Sequence, residues 1–238
     1  MGIADAFDIG WKLASVINGS GGAALLQSYE MERKPVAARN VAHSGVHFQV
    51  HMGLKDLLTS NGTEPHCVDD DTTEARDLRS RIRQYYQEHD GENKDFGIEM
   101  DYRYQSHVIV SDEAGSEPAW TPSGYTPTTW PGSRPPHLFL NDGSAIFDHF
   151  GQEWTLLNFS CTDSGCGLLE EAARDMSVPL IKIDFYNEQL AKKLYERKLV
   201  LLRPDQHVAW RADHLDSLKA ARDVFETVTG RVDTIKCV

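Results

Sequence analysis

The sequence predicts an α+β fold made of two units. Apolar residues recur at helical spacing through the first 60 positions, and residues 112–136 are rich in Pro, Gly, Ser and Thr without any periodicity. Strand-like and helix-like segments then alternate to the end of the sequence. These observations predict a helical unit at residues 1–115 and a second unit, which begins with a linker, at residues 116–238.

The first unit is predicted to be mainly helical. Phe7, Trp11 and Ala14 fall near one apolar stripe of the first helix, which the glycine-rich stretch 18–22 ends. Pro35 is expected to break or kink the chain between the second and third helices, because proline lacks the N–H donor and crowds the preceding turn. The predicted helices cover residues 5–17, 23–34, 36–58 and 74–88, and residues 102–110 are predicted to be extended.

The second unit is predicted to be a mixed α/β domain. A short strand at 137–140 precedes segments in the order β-α-β-α-β-β-α, which is typical of a thioredoxin-like unit. The crossovers predict parallel strands and the hairpin an antiparallel edge. The predicted strands cover residues 155–159, 179–185, 198–203 and 207–211, and the predicted helices cover 165–176, 188–195 and 217–228.

Composition narrows the classes of function. The formal charge of −12 disfavours nucleic acid, because phosphate binding needs a basic face. The longest apolar runs, such as Leu199–Leu202, are too short to span a membrane, and the first residues lack the pattern of a signal peptide. We therefore expect a cytoplasmic protein that binds neither nucleic acid nor membrane.

Three histidines form the most conspicuous chemical pattern. His43, His47 and His51 are spaced by four residues and therefore share one face of the predicted helix. If this face lines a cavity, His43 and His47 are the candidate catalytic acid and base. No metal site is predicted, because no H-E-x-x-H pattern is present and the nearest acid in the sequence is Asp56.

Charged residues in the segment YEMERKP suggest a second, structural interpretation. Glu30, Glu32 and Arg33 are expected to brace an exposed helix through pairs one turn apart, rather than to act in chemistry.

Two stretches resemble the FAD-dependent aromatic hydroxylases, the group that contains phenol hydroxylase and the polyketide hydroxylases. The first has the form of a D-A-x-N-L-x-W-K-L-A helix followed by L-L-x-x-Y-E-x-E-R-x-P, with Asp8 where Asn is usual. Its matching residues are Asp5, Ala6, Trp11, Lys12, Leu13, Ala14, Leu25, Leu26, Tyr29, Glu30, Glu32, Arg33 and Pro35. The second resembles the thioredoxin-like C-terminal domain of these enzymes at Pro131, Gly132, Ser133, Arg134, Pro136, His137, Asp148, Gly151, Arg203, Pro204, Asp205, His207, Val208, Ala209, Trp210 and Arg211.

The resemblance implies a fold and two cofactors. Residues 1–115 would be the helical remnant of a flavin and substrate domain, and FAD and NAD(P)H would be the cofactors of the family. The G-x-G-x-x-G turn that cradles a pyrophosphate and the GD flavin motif are absent from the 238 residues, so we expect a truncated member that holds no cofactor by itself. Only the start of the first helix, at Gly2 and Ile3, would still face the flavin.

The resemblance also suggests partners and leaves alternatives open. Helices that formerly packed on a sheet would expose apolar surface, so we expect a homodimer or a complementing N-terminal polypeptide, with a small aromatic or polyketide-like substrate. One alternative is a free-standing, cofactor-independent cyclase or isomerase that acts on such a metabolite. A further alternative is a non-catalytic partner of another pathway enzyme.

Overall fold

A computed structural model describes residues 2–59, 68–112, 114–162 and 165–232. The helices and strands are α1 (Gly2–Ile17), α2 (Ala23–Thr59), α3 (Thr73–Glu88), α4 (Phe96–Met100), β1 (Trp154–Asn158), α5 (Cys166–Asp175), β2 (Leu180–Asp184), α6 (Gln189–Tyr195), β3 (Leu199–Leu202), β4 (Val208–Ala212) and α7 (Leu218–Val228). None of the described helices combines the length and hydropathy needed to cross a membrane.

The second unit has the predicted thioredoxin-like topology. Its four strands follow the order β2-β1-β3-β4. The first crossover gives the predicted parallel pair of β1 and β2, and the hairpin of β3 and β4 is antiparallel as predicted. The parallel strand expected after the second crossover is wrong, because β3 pairs antiparallel with β1. Successive residues of β1 point to opposite faces of the sheet. Leu156 therefore packs with Leu169 of α5 and Phe225 of α7, and Leu157 packs with Tyr195 of α6 on the other face. The α+β fold class is confirmed.

Of the break or kink predicted at Pro35, the break is wrong and the kink stays a prediction. Residues 23–59 form one helix with Pro35 inside it. A proline in a helix interior costs about 3 kcal/mol because it removes one hydrogen bond and crowds the preceding turn. Glu32, Arg33 and Val36 are all buried beside it, and their contacts hold the helix across the proline.

The apolar stripe predicted for α1 is wrong except at Trp11, because the polarity of the rest of the helix is inverted. Its buried face carries Asp8, Trp11, Lys12 and Ser15, two of which are charged. The apolar residues on the opposite face, among them Phe7, are exposed to solvent. An ordinary amphipathic helix buries its apolar stripe, so the packing of α1 needs a partner for each buried charge.

Two segments predicted to be extended lack strand pairing. Residues 102–110 form no described strand, although Val110 N donates to Ala209 O at 2.9 Å. Residues 137–140 contribute only an isolated bridge between Phe139 and Ala145. A turn at residues 106–109, in which Ile109 N donates to Ser106 O at 3.2 Å, interrupts the first stretch.

The two predicted units share one core. Trp11, Leu25 and Val108 belong to the same apolar cluster as Trp154 and Phe225 of the second unit. The helices α1 and α2 are therefore docked onto the face of the sheet that α5 and α7 also cover.

Candidate functional site

A network of buried charges lies where α1, α2 and the turn between β3 and β4 meet. Lys12 Nζ lies 2.8 Å from Asp8 Oδ2 and 2.7 Å from Glu32 Oε2. Arg203 donates to both carboxylate oxygens of Glu32, at 2.7 and 2.9 Å, and also to Asp205. Because each of these side chains is buried, the network holds its charges away from water and depends on mutual pairing.

The brace predicted for Glu30, Glu32 and Arg33 is therefore wrong for two of the three residues. Glu30 is exposed and accepts from Lys34 at 2.7 Å, as an ordinary pair one turn apart. Glu32 and Arg33 are buried because this face of α2 docks against α1 and the second unit. Charged residues at helical spacing have the same sequence pattern on an exposed helix face and on a buried one. The sequence alone therefore could not show that Glu32 and Arg33 are buried.

The network contains three carboxyls and two cations, and the pKa values of its carboxyls shift in different directions. The carboxyls of Asp8, Glu32 and Asp205 face the cations of Lys12 and Arg203. Burial raises the pKa of Asp8, although Lys12 and Arg203 oppose it. Burial also acts to raise the pKa of Asp205, but Arg203 and His207 outweigh it and hold that pKa well below its usual range.

An aromatic layer continues the network toward the surface. Arg33 donates to Asp5 Oδ1 at 2.8 Å and to the Tyr104 hydroxyl at 2.9 Å. The Tyr104 ring stacks on His207 with centroids 4.3 Å apart, and the Arg203 guanidinium lies 5.1 Å from the Tyr104 ring centre. Burial raises the pKa of Tyr104, so its hydroxyl stays protonated beside Arg33.

An open groove of about 490 Å³ borders this layer at the start of α1. His207 Nε2 is buried there and has no hydrogen-bond partner among the described residues. Gly2 is exposed, and a side chain at that position would meet nothing within 4 Å. The groove is lined by Ile3, Ala4, Phe7, Asp8, Tyr102, Tyr104, Arg134, Asp205, Gln206 and His207.

The predicted cofactor residues therefore lie at an exposed helix start. Ile3 is 90% exposed and forms part of the groove wall, and Gly2 precedes it at the tip of α1. The first turn of a helix presents unpaired backbone N–H groups that favour negative charge. Their role toward a flavin stays a prediction.

A second cavity of about 410 Å³ lies between the end of α4, the residues that follow it and the second unit. Its walls are largely aromatic and proline side chains, which favour a flat apolar ligand. The lining residues are Glu99, Met100, Tyr102, Tyr125, Pro127, Arg134, Pro135, Pro136, His137, Phe147 and Leu194.

His43 and His47 lie apart from both cavities. They share one face of α2, as predicted, and neither lines the groove at α1 or the aromatic cavity. Asp95, which precedes α4, lies against both histidines. Its Oδ2 is 3.8 Å from His43 Nδ1 and 3.2 Å from His47 Nε2. Their acid–base role stays a prediction. Sequence reasoning missed Asp95 because it lies 48 positions beyond His47, and no local pattern links them.

Two family models match most of the folded chain. Residues 128–232 match the model for the aromatic-ring hydroxylase C-terminal region, and residues 1–44 match an FAD binding domain. The matched segments contain every charged member of the buried network, from Asp8 to Asp205.

Curated and solved relatives agree with these matches. The FAD-dependent monooxygenase opdD of Penicillium oxalicum is 40% identical over 98% of this chain and 44% of its own length. RebC with bound 7-carboxy-K252c superposes with a TM-score of 0.79 at 32% identity, over 96% of this chain and 41% of RebC. The flavin-dependent monooxygenase PieE, in complex with FAD and substrate, superposes with a TM-score of 0.75 at 30% identity, over 96% of this chain and 44% of PieE. The chain thus spans less than half the length of these relatives.

Proposed function

Because the chain belongs to the FAD-dependent aromatic hydroxylases and matches their C-terminal portion, we propose that it supplies one wall of the flavin region and the thioredoxin-like domain of an FAD- and NAD(P)H-dependent monooxygenase. The reaction would hydroxylate a small aromatic or polyketide-like compound in secondary metabolism. The 7-carboxy-K252c bound to RebC and the substrate bound to PieE support a small-molecule substrate of this kind.

The inverted polarity of α1 carries this proposal. Ile3, Phe7 and Ile17 are exposed on one side, while Asp8 and Lys12 are buried on the other. Exposed apolar residues along a helix favour a surface that another polypeptide covers. The FAD-dependent monooxygenase opdD is more than twice as long as this chain, and we propose that a flavin-binding segment among such further residues covers this face.

The residues of this chain do not fit a dinucleotide by themselves. A pyrophosphate cradle needs glycines whose backbone a phosphate can approach. No G-x-G-x-x-G turn occurs in the 238 residues. Three glycines of the described residues instead allow close approach of the chain's own backbone: Gly97 faces Thr121 O, Gly132 faces Tyr104 O and Gly230 faces Leu25 N. We therefore propose that FAD is retained only together with a flavin-binding segment, and that these 238 residues alone do not hydroxylate.

Flavin retention tests this proposal. The 238-residue chain is mixed with excess FAD and desalted, and the flavin absorbance of the protein fraction is measured. We expect no retained flavin for the chain alone, and retained flavin after co-expression with the flavin-binding part of the Penicillium oxalicum relative. Stoichiometric FAD in the chain alone would contradict the proposal.

A second candidate function rests on the aromatic cavity. Tyr102, Tyr125 and His137 line it together with proline side chains, so it suits a flat metabolite without any cofactor. A cofactor-independent cyclisation or isomerisation would use this cavity, and turnover of a polyketide intermediate without FAD or NAD(P)H would identify it.

Binding of a pathway enzyme without turnover would instead favour a non-catalytic partner. A cytoplasmic location and a homodimer also remain predictions.

A further inference from the structure

Three side chains with metal-binding atoms converge on the outer half of α2. His43 and His47 are one turn apart on that helix, and Asp95 comes from the segment that leads into α4. The binding atoms of the three residues all lie within 4.8 Å of one another. Both imidazoles face the same carboxylate oxygen. The three donor atoms therefore form a triangle around one position that an ion could occupy.

The separations suit a transition metal. Zinc takes nitrogen and oxygen ligands at about 2.0–2.2 Å, so two ligands of a tetrahedral site lie about 3.3–3.6 Å apart. The distance from His47 Nε2 to Asp95 Oδ2 is 3.2 Å, and that from His43 Nδ1 to the same oxygen is 3.8 Å. Both separations are close to the distance between two ligands on one ion.

Asp95 is oriented toward the histidines rather than toward its own helix. It is the N-cap residue of α4, where an aspartate ordinarily accepts a hydrogen bond from the first turn. Its side chain makes no such bond, although its carbonyl accepts from Ile98 N and Glu99 N and thereby fixes its backbone. The carboxylate is therefore available to a ligand held on the α2 side.

The site is partly enclosed. The side chains of His43, His47 and Asp95 are 26%, 20% and 14% exposed, so the donors are shielded and an ion can still enter. By contrast, His51 pairs with Glu92 one turn further along, where both side chains are about half exposed.

We propose that His43, His47 and Asp95 bind a divalent transition metal of the zinc class. Two imidazoles and one carboxylate favour zinc over magnesium or calcium, which prefer sets of oxygen ligands. Three protein ligands leave a fourth position for water, as in zinc sites that are open to small molecules. The ion would also join α2 to the segment before α4, which are 48 positions apart in the chain.

Direct binding measurements test the site in the 238-residue chain. After treatment with a chelator and its removal, the chain is titrated calorimetrically with Zn²⁺ and separately with Mg²⁺, and Co²⁺ binding is followed by visible absorption. We expect one saturable Zn²⁺ site, no comparable Mg²⁺ site and the visible bands of low-coordinate cobalt.

Variants assign the ligands. Removing one ligand should cost at least as much as removing a supporting contact, which lowers metal affinity roughly 10–100-fold. We therefore expect His43→Ala, His47→Ala and Asp95→Asn each to weaken Zn²⁺ binding at least tenfold, and His51→Ala to change it less than twofold. Circular dichroism in the absence of metal verifies that each variant is folded.

The proposal is overturned by three outcomes. The first is the lack of a saturable Zn²⁺ site. The second is a Zn²⁺ affinity that is unchanged in both Asp95→Asn and His47→Ala. The third is a loss of Zn²⁺ affinity in His51→Ala equal to that in the ligand variants. If one ligand variant does not fold, the other two decide between binding and its absence.

Discussion

The Arg203 guanidinium, just after β3, donates to both oxygens of the Glu32 carboxylate on α2, at 2.7 and 2.9 Å. The two residues are 171 positions apart, and neither side chain is exposed. Arginine suits this position because its planar fork matches a carboxylate in a bidentate pair. This pair connects the two family-matched segments of the chain through a buried ionic contact.

Removing one partner of this pair should destabilise the protein strongly. Arg203→Ala leaves Asp205 buried without its arginine and Glu32 with Lys12 alone, and breaking a buried ion pair in this way typically costs about 3–5 kcal/mol. Urea unfolding measures the change. Glu30→Gln is the matched control, because it removes an exposed ion pair on the same helix and should leave the unfolding midpoint unchanged. Equal effects of the two substitutions would contradict the assigned role of the buried network.

Stability should fall in acid because of Asp205. Its pKa is held well below the usual 3.8, so its ionised form stabilises the fold above that pH. As pH falls from 3.8 through the lower folded-state pKa, the fold takes up a proton that the unfolded chain already holds, and this contribution is lost. The free energy of unfolding, measured by denaturant titration from pH 7 down to the acid limit of folding, should therefore decrease below about pH 4.

Asp205→Asn supplies the comparison for the acid profile. The variant should be less stable at neutral pH, because Arg203 loses a charged partner, and its stability should depend less on pH in the acid range. If the free energy of unfolding of Asp205→Asn falls with the same slope in acid as that of the wild type, carboxyls other than Asp205 cause the loss of stability.

The exposed apolar face of α1 should matter for association rather than for folding. Phe7 is 58% exposed, so Phe7→Ser should change the free energy of unfolding by no more than about 0.5 kcal/mol. If a flavin-binding segment covers this face, the same substitution should weaken its binding at least about tenfold, or 1.4 kcal/mol. Val46→Ser, which is equally exposed on α2, is the control for lost apolar surface. Equal weakening by both would place the interface elsewhere.

Gly132 should be intolerant of any side chain. Its φ is +93°, and a Cβ there would lie 2.0 Å from the carbonyl oxygen of Tyr104. Gly132→Ala should cost more than about 2 kcal/mol, because the steric overlap adds to the backbone strain of a positive φ. Gly143 has a φ of +83° and open space around it, so Gly143→Ala should cost only about 1 kcal/mol, the strain alone. Thermal unfolding of both variants separates the two contributions.

The second unit was largely predictable from the sequence, and the contacts between the units were not. Leu156 and Leu157 lie in an apolar run that predicts a central strand, and the turn at Pro204 predicts the β3–β4 hairpin. Those signals are local. Glu32 and Lys12 have the spacing of surface charges, and only the fold brings them together with Arg203. Asp95 was likewise not predictable as a neighbour of the histidines, because only the fold brings its distant segment against α2.

The buried charges shared between the segments limit how this architecture can be divided or exchanged. A C-terminal domain expressed by itself from residue 116 would carry Arg203 and Asp205 without Glu32 and Lys12, and would expose the apolar surface beneath Trp11. Transplanting that domain between hydroxylases would require the recipient to supply carboxylate and ammonium groups in the same register on its own helices. Residues 1–44 and 128–232, which match separate family models, therefore depend on each other to pair their buried charges.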